Sequence, residues 1–240
     1  LDVWGKLRSA KFAADEDVRA TAERITAGLR SDEERVAALN RWVAMNVRYR
    51  GLSVGREEGY TMHAGTMTLQ HLAGVCKDKA GMLVTFLRAV GLEAYPAMTM
   101  AGSRVERIAA DQFNHAVVAW RRADGSFRMV DPTWAPFSRD LWSRAETEQH
   151  YLIGTAEGED LAVTPAEDPA RKGILVRGDS RLDADGNLES TVHLEPIGYV
   201  EDRMRRMLGR SSVLETQHQI EEIAVRLAPA AEVADYGFVD

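Results

Sequence analysis

Apolar residues recur at helical spacing through the first third of the chain. Val18, Ala22, Ile25 and Leu29 predict a helix over residues 15–30, and Val36, Leu39, Val43 and Val47 predict a second beginning at Ser31. Ser31 and Glu34 stand at capping-box spacing, where each side chain satisfies an orphan backbone donor of the first turn. Gly51, Gly55 and Gly59 break the following stretch into a loop, and a short helix over 67–72 leads to Gly74. The most hydrophobic helix is expected over 76–90. Ala80, Leu83, Leu87 and Val90 share one of its faces, and Gly91 stands at the left-handed position that ends helices.

The period then changes to two. Residues 93–100, 112–120 and 126–131 read as strands, the last two joined through Asp124-Gly125. Pro132 and Pro136 close this pattern, and 143–152 reads as helical. Residues 155–172, rich in Glu, Asp, Ala and Pro, read as a linker. Beyond them, strands are expected over 173–179 and 187–194, helices over 200–209 and 214–227, and a final strand over 236–239. The fold class is therefore α+β: a core over 1–155, a linker over 156–172, and a smaller β-rich C-terminal segment with two helices over 173–240.

Composition narrows the function classes. A chain of 240 residues with 45% hydrophobic and 28% charged residues is globular and long enough to bury a core without disulfides or a structural metal. A net charge of −7, with basic residues clustered only at Arg203–Arg206, argues against a nucleic-acid partner. No apolar run approaches the ~20 residues of a membrane span. The first residue is Leu1 rather than Met, which reads as a trimmed or processed piece. Cys76 is the only cysteine, so no intrachain disulfide forms and the compartment stays open.

That cysteine sits in Gly74-Val75-Cys76-Lys77-Asp78-Lys79-Ala80, at the start of the most apolar helix. First-turn N–H groups and the positive helix end favour a thiolate there. Lys77 and Lys79 add to the effect and Asp78 partly cancels it. Alone, a cysteine is as readily a small core residue. Two further stretches change the balance. Phe113-Asn114-His115-Ala116-Val117 puts a histidine in one strand, and Val130-Asp131-Pro132-Thr133-Trp134 puts an aspartate at the end of the next. A thiol nucleophile needs a base, and the base needs a carboxylate to hold its tautomer.

In this order the three stretches resemble the bacterial transglutaminase-like family, over roughly residues 32–151. The resemblance implies a papain-like Cys-His-Asp core with Cys76 as nucleophile, His115 as base and Asp131 as orienting carboxylate. It implies no cofactor and no metal. More narrowly, the chain resembles exported bacterial members in which this core sits between two β-rich domains, which implies a periplasmic or cell-surface location. Val75 departs from the pattern, because many members have Asp before the cysteine. The backbone N–H of Cys76 is the natural first oxyanion donor. Tyr49, which follows the helix before the glycine-rich loop, is a candidate for the second, with Tyr60 and Gln70 as rivals; each also has a purely structural reading. Trp134 reads either as a shield over the site or as a core residue.

The expected function is a cysteine-dependent amide hydrolase or acyl transferase acting on a peptide or protein through a thioester at Cys76. Peptidase-like hydrolysis is favoured over crosslinking. The alternative is a non-catalytic peptide- or glycan-binding module on the same fold. Other chemistry reads less well. His63, His71, Cys76 and Asp78 lack the tight paired spacing of a zinc site. Asp183-Ala184-Asp185-Gly186-Asn187 fails as an EF-hand loop and reads as a hairpin turn. Arg203, Arg205 and Arg206 with Met204 and Met207 read as two faces of a solvated helix.

Strand parity makes the triad testable. A two-residue turn at Asp124-Gly125 would place Asp131 opposite Val118, on the face away from His115. A three-residue loop, Ala123-Asp124-Gly125, pairs Arg122 with Ser126 and puts Asp131 opposite Val117, a diagonal neighbour of His115. A triad therefore requires the odd loop or a bulge.

Overall fold

The computed structural model describes residues 12–50, 62–108, 112–133, 147–164, 166, 168 and 172–239. The chain divides into two compact units, Leu1–Arg171 and Lys172–Asp240.

In the first unit, helices α1 (Glu16–Thr26) and α2 (Asp32–Asn46) follow the periodicity. Asp15 caps α1 by accepting from the Val18 N–H. Ser31 and Glu34 form the expected reciprocal box at the start of α2. Beyond α2, β1 (Arg48–Tyr49) pairs in parallel with β2 (Ala73–Gly74), just after α3 (Gly65–His71). Helix α4 (Cys76–Ala89) then runs through the core and ends before Gly91, whose φ is +82°.

The sheet that follows has strand order β5-β4-β3-β6-β7 and is antiparallel throughout. Its strands are β3 (Ala94–Thr99), β4 (His115–Arg121), β5 (Phe127–Val130), β6 (His150–Ile153) and β7 (Ala162–Val163). One face, with Ala94, Ala116, Val118, Trp120 and Val130, packs into a single cluster with the apolar stripes of α1, α2 and α4. The opposite face carries a smaller cluster of Ala97, Val117, Ala119, Met129 and Ile153. The fold is thus α+β, with the cysteine helix laid on an antiparallel sheet.

Three expectations are corrected. Residues 150–152 are strand, not helix: β6 adds to β3 with Tyr151 opposite Thr99 and Ile153 opposite Ala97. A four-residue strand is too short for its alternation to stand out, and pairing with a neighbour outweighs local propensity. The sheet does not close at the prolines, since β6 and β7 extend it, and β7 lies within the stretch read as linker. Residues 236–239 form no strand.

The second unit holds a hairpin, β8 (Gly173–Leu182) with β9 (Leu188–Ile197), followed by α5 (Tyr199–Leu208) and α6 (Val213–Leu227). Arg205–Glu201 and Arg206–Asp202 pairs at i,i+4 line α5.

Candidate active site

Cys76 is the first residue of α4, and Val75 is its N-cap. Valine has no side-chain oxygen to cap with, so the Lys77 N–H is left for the site while the Asp78 N–H donates to the Val75 carbonyl at 3.0 Å. The N–H of Lys77 and that of Ala116 are aimed at the Cys76 sulfur. Asp78 braces the turn from within. Its Oδ2 accepts from the Val75 N–H at 3.0 Å, its Oδ1 accepts from the His63 N–H at 3.1 Å, and His63 Nδ1 lies 3.0 Å from that same Oδ1. Gly74 makes this approach possible, because a Cβ there would lie 2.5 Å from the Asp78 Cβ.

The β4–β5 hairpin supplies the other two groups. Val118 pairs with Val130 and Arg121 with Phe127, so the register runs through Arg122 and Ser126. The Arg122 N–H donates to the Ser126 carbonyl at 2.8 Å, and the Gly125 N–H to the Arg122 carbonyl at 2.9 Å. Gly125 has φ +82°. This is the three-residue loop with a left-handed third residue, and it leaves His115 and Asp131 on one face. His115 Nε2 is 2.9 Å from Asp131 Oδ2, with the carboxylate 1% exposed. The other carboxylate oxygen accepts from the Thr133 N–H at 2.7 Å. A carboxylate accepts only, so Nε2 carries the proton and Nδ1 is the ring nitrogen left for the thiol.

By parity the pair lies on the face of Val117 and Ala119, not the face that α4 covers. His115, the first residue of β4, nonetheless hydrogen-bonds Cys76. The expected strand began at 112, but the Asn114 side chain instead bonds the Ala101 backbone, its oxygen accepting from the Ala101 N–H at 2.8 Å. The strand therefore starts at the histidine, at the end of the sheet.

Burial pushes the Cys76 thiol up, but hydrogen bonding to His115, the imidazolium charge and the two backbone N–H groups outweigh it and hold the thiol below its ordinary value. Lys77 thus bears on the sulfur through its backbone N–H. Tyr49 is drawn against the same residue by the parallel β1–β2 pair, where the Arg48 N–H donates to the Leu72 carbonyl at 2.9 Å and the Arg50 N–H to the Gly74 carbonyl at 3.0 Å. Its phenol hydrogen-bonds the Cys76 backbone N–H and side chain. Partial burial and the adjacent sulfur push that phenol up, so it stays protonated and able to donate.

Of the rivals to Tyr49, Gln70 is exposed on α3, while Tyr60 lies outside the described residues, as does Trp134. His63 is engaged by Asp78, and His71 Nδ1 by the Met67 carbonyl at 2.8 Å. Among the described residues no three His, Cys, Asp or Glu side chains cluster as metal ligands. Asp183 accepts from the Asp185 and Asn187 N–H groups, closing the β8–β9 turn.

Two groups escaped the sequence reading. Asp78 appears there only as a charge, not as the brace of the first turn. Lys79 likewise is read as part of a positive field, whereas its Nζ is buried and donates to the carbonyls of Ala44 at 3.2 Å and Val47 at 2.9 Å. Its place three residues after Cys76 in a mostly apolar helix was the available signal.

Residues 19–132 match the Transglutaminase-like superfamily. Among solved structures, a candidate cysteine protease of Cytophaga hutchinsonii aligns at 19% identity and TM-score 0.44, covering 83% of this chain and 60% of that one. A candidate protease of Parabacteroides distasonis aligns at 12% identity and TM-score 0.50, covering 72% of this chain and 35% of that one. At 12% identity the likeness to the Parabacteroides distasonis protein is one of fold alone. The chain spans 60% and 35% of the lengths of these two proteins. No curated protein matches the sequence. Among the described residues no helix is long and apolar enough to cross a membrane.

Proposed function

We propose, from the match of residues 19–132 to the Transglutaminase-like superfamily, that the protein is a cysteine hydrolase cleaving peptide or isopeptide bonds through a thioester at Cys76. The observation that carries this reading is the buried 2.9 Å contact of His115 with Asp131, with the second ring nitrogen left for Cys76.

The Cys76 thiolate attacks the amide carbon, and the carbonyl π electrons move onto oxygen. The backbone N–H of Cys76 and the Tyr49 hydroxyl donate to that oxyanion. His115, protonated on Nδ1 by the thiol, gives that proton to the leaving amine as the C–N bond breaks. Water then loses a proton to Nδ1 and attacks the thioester, releasing the acid and restoring the thiol. Asp131 holds the tautomer and offsets the imidazolium charge.

Cys76→Ala is expected to abolish turnover of a peptide or isopeptide substrate found by library screening with mass detection, and His115→Ala nearly so. Asp131→Asn is expected to leave the fold intact and slow the reaction by ~10²–10⁴. Full activity in Cys76→Ala would overturn the assignment.

A further inference from the structure

The buried ammonium of Lys79 takes no part in the steps above, yet it joins the pieces of the site. Lys79 is 2% exposed and lies on α4, three residues after the nucleophile, so it projects from nearly the same side of the helix. It donates to two carbonyls at the end of α2, those of Ala44 and Val47. These are among the last carbonyls of a helix, which have no partner within it. A cation is favoured there by the helix dipole as well. Two residues beyond Val47 the chain reaches Tyr49. Its anchorage on the other side is the parallel pairing of Arg48 and Arg50 with the backbone of Leu72 and Gly74. Tyr49 itself is 49% exposed, so packing alone does not fix the ring.

We propose that Lys79 is a positioning residue that fastens the α2–β1 junction to the cysteine helix and so holds the Tyr49 hydroxyl at the oxyanion position. The proposal rests on the thioester reading of the site. Burial pulls the ammonium down to about 8, opposed by the Asp131 carboxylate. Keeping a desolvated lysine at this position is costly, and the two carbonyl bonds are the compensation found for it. A leucine or methionine would serve a purely apolar helix face at lower cost.

The role separates from a merely structural one through the chemistry of two probes. Acylation of Cys76 by p-nitrophenyl acetate passes through an oxyanion, whereas its alkylation by iodoacetamide does not. Both rates are measured for the native chain, Tyr49→Phe, Lys79→Met and the double variant, with the thermal transition recorded for each. Tyr49→Phe and Lys79→Met are each expected to slow acylation by about 10-fold or more while alkylation changes less than about threefold. In the double variant, acylation is expected to fall no further than in the slower single variant, as for two residues acting through one contact. Lys79→Arg, which keeps charge and donors, is expected to recover part of the loss. Multiplicative losses, or equal slowing of both reactions by Lys79→Met, would overturn the proposal. If Lys79→Met does not fold, Lys79→Gln carries the same comparison. Failure of the native protein to be acylated faster than a free thiol would instead overturn the thioester reading, so the two failures are distinct.

Discussion

Val75 leaves the first turn of α4 without a side-chain cap, and two neighbours divide the work between them. Asp78 takes the Val75 N–H from three residues on, while the Lys77 N–H stays with the sulfur. The thiol is held below its ordinary value, mainly by His115 working against burial. Activity needs the thiolate, so the rate rises with pH as the coupled thiol–imidazole pair titrates, and a depressed thiol moves that rise to lower pH. The acid limb of kcat/KM is expected below ~8.5, the free-thiol value. Iodoacetamide labelling of Cys76 across pH should follow the same limb; a limb at or above that value would mean the thiol is not activated.

Two hairpins in this chain are closed by the same three residues, Ala-Asp-Gly. At 123–125 and again at 184–186 the glycine has positive φ, +82° and +87°, and the flanking backbone groups exchange the same pair of bonds. An aspartate braces each turn from a different place: Asp124, inside its loop, accepts from the Ser126 N–H, and Asp183, just before its loop, accepts from the Asn187 N–H. An odd loop decides which strand face each residue meets across the hairpin. In β4–β5 that choice brings Asp131 to His115; in β8–β9 it gathers Ile174, Val176, Val192 and Leu194 on one face, with Arg177, Asp179, Arg181, Glu189 and Glu195 beside Leu175 and Ile197 on the other. Gly125→Ala forces a side chain into the left-handed region and is expected to cost about 1–2 kcal/mol of stability. The same change at Gly186 has the same local cost. Only the first should lower the melting transition of the unit that holds the site, which differential scanning calorimetry of the two variants can check.

The two units differ in what they bury. Residues up to 171 enclose a cluster drawn from three helices and a sheet, whereas neither α5 nor α6 buries a side chain and the apolar face of the β8–β9 hairpin stands open. Ile174, Val176, Leu182, Leu188 and Val192 are all exposed there. A 69-residue unit of this kind removes too little apolar surface from water to offset its conformational entropy. Residues 172–240 produced alone are expected to show no cooperative thermal transition by circular dichroism, while residues 1–171 alone melt as a unit. A sharp transition in the isolated C-terminal piece would contradict this.

How much of this was legible in the chain follows from the range of the interactions involved. Helices α1, α2 and α4 could be read directly, because their stripes, the Ser31 box and Gly91 are local signals acting within a turn or two. The His115–Asp131 pairing was readable too, since strand parity and loop length are properties of adjacent residues. Strand β6 was not, because its identity comes from a ladder with β3, some fifty residues away, as in the Thr99 hydroxyl that donates to the His150 carbonyl. Tyr49 was one of three candidates by sequence; the parallel pairing of two two-residue strands, too short to leave any pattern, brought it to Cys76. Lys79 looked like one more charge near the thiol. Its carbonyl partners lie more than thirty residues back along the chain, and only the packing of α4 against the end of α2 brought them to its ammonium.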